Sequence, residues 1–355
     1  MSSRAPPSRT LACATRAWKQ PCDACASASL ARAVARAYWF CSGSGTRQGT
    51  MPARRMSDGG LSGRGAPPSP EAAAAAREIS YARSARSRAG RAFIRGVENL
   101  TGRPRLIKMA LGYELEVESG RDFWEVMAER YRLRLEVRSD DLANIPREGP
   151  VVAVANHPFG ILDGLILGRI LSTARPSFKI MAHKVFHKSR DLSDVILPID
   201  FDETKEAQQS NLRTRKESLA YLGAGGCVGI FPGGTVSTSS KLWNRAMDPA
   251  WKTFTAKMIQ RSRARVVPIF FDGQNSRLFQ IASHAHYTLR MALLINEFDR
   301  SVGEPVRVRI GAPVEPDALA AFRGDSKGLM DHLREATYRL SETPIEDLGY
   351  GRDFG

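Results

Sequence analysis

The 355-residue sequence predicts an α/β fold: a mixed, largely parallel sheet flanked by helices, with an N-terminal helical region ahead of it. Three short apolar runs carry this expectation. VVAVA (151–155), CVGIF (227–231) and VVPIFF (266–271) lack polar alternation, as strands covered on both faces do. Each run ends in a polar loop containing glycine, and the intervening segments are long enough for helical crossovers between parallel strands. In such a sheet the loops at the carboxyl ends of the strands face one crevice.

Residues 1–75 read as an extension. The first seventy supply +8 of the chain's formal +15 charge and are rich in Ala, Ser, Gly and Pro. That composition suits a disordered segment, a transit-like peptide, or sequence upstream of a start at Met51 or Met56. Four of the five cysteines, Cys13, Cys22, Cys25 and Cys41, lie here with a single CxxC, so neither a zinc ribbon nor a thioredoxin motif is supported. The fifth, Cys227, falls in an apolar run and fits a reducing, cytoplasmic compartment.

Residues 76–130 form a basic helical region. Arg77 to Lys108 holds nine basic residues against Glu78 and Glu98, with Phe93, Ile94, Val97 and Leu100 at helical spacing. Such a helix either lies on an anionic membrane surface or packs its apolar face on the domain behind it. No apolar stretch reaches the roughly 18 residues of a spanning helix, so any membrane association is expected to be peripheral, at the cytoplasmic face. Nucleic acid is not expected as a partner, because the core shows no motif for it and much of the charge sits in the extension.

The α/β domain is expected over 131–345, with residues 346–355 as a tail. Asp122 to Val137 reads as a helix running into a strand, and Glu203 to Leu222 as a helix before the second apolar run. Asp248 to Arg261 reads as a helix before the third, with Asp248 as N-cap, Pro249 at its first position, and Trp251, Phe254 and Met258 on one face. Asn275 with Ser276 reads as the cap of the next helix.

The first loop carries the chemistry. Asn156 and His157 follow VVAVA directly; Pro158 biases His157 toward extended backbone, and Gly160 permits the turn into ILDGLILGRIL. An imidazole held there is a candidate general base, with Asp163 as a carboxylate to orient it, although a loop histidine beside Asn and an acid at a helix start also have purely structural readings. The backbone N–H groups of Gly233, Gly234 and Thr235 in the second loop form a candidate nest for an oxyanion or phosphate. No nucleophile elbow is present, and His183, His187, His284 and His286 lack zinc spacing, so no metal or other cofactor is expected.

From about Pro146 to Pro316 the sequence resembles the glycerolipid acyltransferase superfamily of 1-acylglycerol-3-phosphate acyltransferase-like proteins, in its hemolysin-like branch. NHPFG (156–160) resembles the first block of that family, Phe231, Pro232, Gly234 and Thr235 its second, and Val267 with Pro268 its third. The resemblance implies a fatty acyl transfer from an acyl carrier protein or coenzyme A thioester to a lysophospholipid or related acceptor. His157 then matches the base, Asp163 its partner with Asn156 beside them, and Phe159, Gly160, Gly233, Gly234 and Thr235 line the substrate. The basic N-terminal region gains a third use, docking an acidic carrier protein.

Two departures stand out. Five residues separate His157 from Asp163 where the family has four, and Gly233 and Val236 replace the usual Glu and Arg of the second block. Either the acceptor is a lysolipid that needs no arginine there, or Arg213 or Arg215 supplies the charge. A non-catalytic, lipid-binding relative of the same fold is the alternative function.

Overall fold

In a computed structural model, residues 80–354 are described, apart from 86, 185, 189–190 and 201–203. They belong to one compact unit, Gly65–Gly355. The expectations for residues 1–75, including their cysteines and the start at Met51 or Met56, lie outside the described residues.

Four helices come first: α1 (Arg88–Leu100), α2 (Arg103–Ala110), α3 (Tyr113–Glu118) and α4 (Phe123–Arg130). Next come β1 (Arg134–Val137), α5 (Ser139–Leu142), β2 (Val151–Ala155), α6 (Ile161–Ala174), β3 (Lys179–His183), β4 (Ile196–Ile199) and α7 (Lys205–Gly223). They are followed by β5 (Cys227–Ile230), a small hairpin of β6 (Thr238–Ser239) and β7 (Ala246–Met247), α8 (Thr253–Ser262) and β8 (Arg265–Phe271). The described chain closes with α9 (Arg277–Ala285), α10 (Tyr287–Ser301), β9 (Pro305–Ile310) and α11 (Ser326–Tyr338).

The seven-stranded sheet has the order β1-β9-β8-β2-β5-β3-β4. β8, β2, β5, β3 and β4 are mutually parallel, and β9 turns antiparallel to β8 and carries β1 with it. The mixed, largely parallel sheet is therefore the predicted one. β2 lies at its middle, fully buried, with alternate residues facing two cores. Val151, Ala153 and Ala155 pack toward the N-terminal helices and α6, while Val152 and Val154 pack toward α8 and α11. An apolar run without alternation is the sequence consequence of that double burial. Cys227 on β5 shares it, and burial pushes its thiol up to about 12.

The basic N-terminal region is part of this architecture. α1 buries Ile94 and packs Phe93 and Val97 with Ala82, Ala85 and Ala292, so its apolar stripe is spent on α10 and only Leu100 projects into solvent. Of the three uses weighed for this region, packing is the one observed. Downstream, Leu106, Ala110, Tyr113 and Trp124 join the same core as β2.

Asp248 and Pro249 do not start a helix. α8 begins at Thr253, because the Asp248 carboxylate is engaged by three other groups and Trp251 is buried ahead of the helix. The cap of α9 is Ser276, whose hydroxyl accepts from Phe279 N at 3.2 Å; Asn275 is buried beside it. Residues 346–354 are more than a tail. Gly351 N donates to Asp248 O at 2.9 Å, Arg352 N donates to Thr238 O at 3.1 Å, and Leu348 packs near Phe270 and Tyr338.

α4 meets α6 where Trp124 lies over Gly168; a Cβ added there would sit 2.1 Å from Trp124 Cε3. Gly168→Ala should therefore lower the unfolding free energy by about 1–3 kcal/mol, read as a shifted denaturant midpoint at constant slope. An unchanged midpoint would mean that the two helices are not in this contact.

Candidate active site

The carboxyl ends of β2, β5 and β8 bring three loops together. Register places Val154 opposite Ile230 on β5 and Ala155 opposite Ile269 on β8, so Asn156, Phe231 and Phe271 leave the sheet at one edge. Asn156 joins two of these strands: its Nδ2 donates to Phe271 O at 2.9 Å and its Oδ1 accepts from Phe271 N at 2.7 Å. Both ends of the amide are used and the residue is buried, so Asn156 positions the loop and is not among the groups that can meet a substrate.

His157 is fixed on four sides. Its N–H donates to Asp248 Oδ1 at 3.1 Å, its carbonyl accepts from Ser237 N at 2.7 Å, and its ring stacks on Phe231 with centroids 4.3 Å apart. The fourth restraint is the contact of Nδ1 with Asp163 Oδ2 at 2.9 Å. The chain between His157 and Asp163 turns at Gly160, whose φ of +92° and ψ of −120° lie where only glycine is at ease. Asp163 becomes the third residue of α6, and its Oδ2 also accepts from Phe159 N at 2.8 Å and Gly160 N at 2.9 Å. Burial pushes the Asp163 carboxyl above its ordinary range, opposed by these three donors, while the helix N-terminus favours the anion. This contact engages Nδ1 and leaves Nε2 as the ring nitrogen with no partner among the described residues, and the side chain is 19% exposed.

Phe159 packs against Gly273 in the loop after β8; a Cβ on that glycine would fall 2.5 Å from Phe159 Cζ. In the second loop, Gly234 N closes a turn onto Phe231 O at 3.0 Å with φ of +70°, which removes it from the predicted nest. The N–H groups of Gly233 and Thr235 have no acceptor among the described residues. Arg213 is not brought to the site: it is exposed on α7, over β4 and β5, and Arg215 lies over the Phe254 ring at 4.5 Å.

Three site residues carried no motif. Arg290 on α10 is buried behind the second loop, donating to Thr235 Oγ1 at 3.2 Å, Val236 O at 2.7 Å, Thr238 Oγ1 and, at 3.0 Å, Ser283 Oγ. Its guanidinium lies between Phe279 and Phe354, and no carboxylate among the described residues pairs with it. Burial lowers it to about 10, so it remains a cation at neutral pH. The one signal for it was a lone basic residue in the apolar run TLRMALLIN. Asp248 accepts from Trp251 Nε1 at 2.9 Å and from the Ser237 hydroxyl, besides holding His157. Tyr81 places its hydroxyl 3.5 Å from a Cβ built on Gly160, and burial, then the nearby Asp163, keep this phenol protonated.

A family model described as "Acyltransferase" matches residues 118–345, which takes in all three loops. The chain belongs to this acyltransferase family. Within the family, it is 27% identical to a lyso-glycine lipid O-acyltransferase of Bacteroides thetaiotaomicron over 229 residues, 62% of this chain and 80% of that protein. It is 26% identical to a lyso-glycine lipid O-acyltransferase of Phocaeicola vulgatus over 203 residues, 55% of this chain and 69% of that one. Among solved structures, the 1-acyl-sn-glycerophosphate acyltransferase PlsC of Thermotoga maritima aligns with 72% of this chain and 90% of its own, at 16% identity and a TM-score of 0.40. The chain is thus an acyltransferase enzyme, as its motifs predict.

Asp248→Ala strands the His157 amide, the Ser237 hydroxyl and the Trp251 indole in a dry interior. It should lower the unfolding free energy by about 3–5 kcal/mol and remove acyl transfer even under conditions where the variant is folded. Wild-type stability by denaturant titration would show that this carboxylate is not the link between the loops.

Proposed function

We propose that this acyltransferase moves a fatty acyl group from an acyl thioester of acyl carrier protein or coenzyme A to the hydroxyl of a lysolipid, with His157 as general base. The observation that carries the reading is the His157 Nδ1 to Asp163 contact of 2.9 Å, which leaves Nε2 to take the proton. As the acceptor O–H loses its proton to Nε2, its oxygen attacks the thioester carbonyl. The tetrahedral intermediate then expels the thiolate as the C–S bond breaks, and the proton returns from Nε2 to that sulfur. No enzyme nucleophile is needed. The N–H groups of Gly233 and Thr235 are suited to the oxyanion, and the buried Arg290 cation behind them adds a favourable field.

The acceptor follows from where the arginine lies. By the resemblance of the second block, Val236 stands where the family usually has Arg, and the donors of Arg290 face protein acceptors. A phosphate monoester therefore lacks the bidentate guanidinium that such a dianion favours at this position. The names of both bacterial relatives point the same way, and we assign the acceptor to the lyso-aminolipid class. The reaction is placed at the membrane surface, where such lipids reside, with peripheral association from the cytoplasmic side. No helix among the described residues is long and apolar enough to cross a membrane.

The test offers acyl carrier protein and coenzyme A donors against lyso-glycine lipid, other lyso-aminolipids and lysophosphatidic acid, with products identified by mass spectrometry. The wild type should acylate a lyso-aminolipid in preference to lysophosphatidic acid. His157→Ala should reduce kcat by about 10² to 10⁴ in protein that circular dichroism shows to be folded. Retained turnover in that variant would remove His157 as base, and preference for lysophosphatidic acid would remove the acceptor assignment.

A further inference from the structure

The apolar stripe of α1 is used against α10, so a membrane-facing surface has to be sought elsewhere. It is found next to the site. The β6–β7 hairpin leaves the catalytic loop at Ser237 and carries Leu242 and Trp243 at its tip, 40% and 75% exposed. The hairpin is joined along its length to α9. Ser239 N donates to Gln280 Oε1 at 3.0 Å, His284 Nε2 donates to Ser239 O at 2.9 Å, and Arg277 Nη1 donates to Asn244 O at 3.1 Å. α9 buries Phe279, Gln280, Ala282 and Ser283 and turns Leu278 and Ile281 outward, 38% and 45% exposed. Four large apolar side chains thus stand on two interlocked elements that grow from the loops holding His157.

Charge indicates what covers them. Lys241 and Arg277 flank the apolar residues and are exposed. The segments 237–247 and 273–296 contain no Asp or Glu, and neither does 80–97, whose helix α1 approaches the start of α10 through Gly90 and Thr288. One carboxylate, Asp272, reaches the hairpin and pairs with Arg245 at 3.1 Å; the protruding Leu, Ile and Trp side chains beside the exposed Lys241 and Arg277 match the interface of an anionic bilayer. The indole sits at headgroup depth, the aliphatic residues reach the acyl boundary, and the cations meet lipid phosphates.

We propose that the Leu242–Trp243 hairpin tip and the outward stripe of α9 are the surface that seats this enzyme on an anionic lipid bilayer. The proposal rests on the reading that the enzyme works at a membrane, and it names the face. It also gives the catalytic loop a direct path to lipid, since only a few residues separate Ser237 from the hairpin tip.

The test is co-sedimentation of the full-length protein with phosphatidylcholine vesicles containing phosphatidylglycerol at about 30 mol%. Leu242→Ser with Trp243→Ser, and separately Leu278→Ser with Ile281→Ser, are compared with wild type after circular dichroism and melting temperature confirm that each is folded. The wild type should pellet with these vesicles and less so with pure phosphatidylcholine. Each double variant should lose about tenfold or more of its partition coefficient. If the variants pellet like the wild type, the membrane reading stands and this face is not the surface. If the wild type does not pellet, or this face binds an acidic carrier protein and not vesicles, the lipid assignment is overturned.

Discussion

A hydrogen bond between His157 Nδ1 and Asp163 Oδ2, 2.9 Å long, is the constraint around which the catalytic end of the sheet is arranged. The two residues are six apart in sequence, and no regular element brings such a pair together. The chain has to reverse within Pro158 to Gly160, which requires the positive φ of Gly160, and Asp163 has to lie within the first turn of α6. There the same carboxylate oxygen accepts two further N–H groups, so the bond that orients the imidazole also starts the helix. A substitution of Asp163 would thus act on the turn, the helix and the imidazole together.

Orientation alone would leave the turn free to slide, and a second layer prevents this. Asn156 ties the end of β2 to the end of β8, and Asp248 ties the His157 amide to Ser237 and Trp251. Arg290 secures the second loop from behind, and Phe354 from the C-terminal segment lies over its guanidinium. A cation buried without a carboxylate is costly, and it persists here because four neutral acceptors and two aromatic faces surround it. Its charge then remains directed at the loop proposed to hold the oxyanion.

What was legible in the sequence follows from how local each signal is. The three buried strands announce themselves because double burial demands continuous apolar runs, and the motif residues sit where those runs end. The pairing of His157 with Asp163 is a short-range feature, whereas of the two glycines expected in the nest Gly234 closes a turn onto Phe231 O. β9, the β6–β7 hairpin, β3 and the edge strand β4 carried little signal, being short or only partly buried. Asp248 was misleading because an Asp-Pro pair before an amphipathic segment has the form of a helix start, whereas its carboxylate serves groups 3 to 91 positions away. Arg290 reaches loops more than fifty positions upstream, and such a contact leaves no local trace. The basic α1 was correctly seen as amphipathic, but amphipathicity alone does not distinguish a neighbouring helix from a lipid surface.

The proposed transfer turns on one nitrogen of one ring. Long-range ¹H–¹⁵N correlation spectra of histidine-labelled protein, with His157 assigned by comparison with His157→Gln, report which ring nitrogen carries the proton at neutral pH. The Nδ1–H tautomer, with an unprotonated Nε2 and a downfield Nδ1 proton that disappears in Asp163→Asn, is the predicted result. An Nε2–H tautomer, or a spectrum indifferent to Asp163, would contradict the assignment of His157 as an Asp163-oriented base.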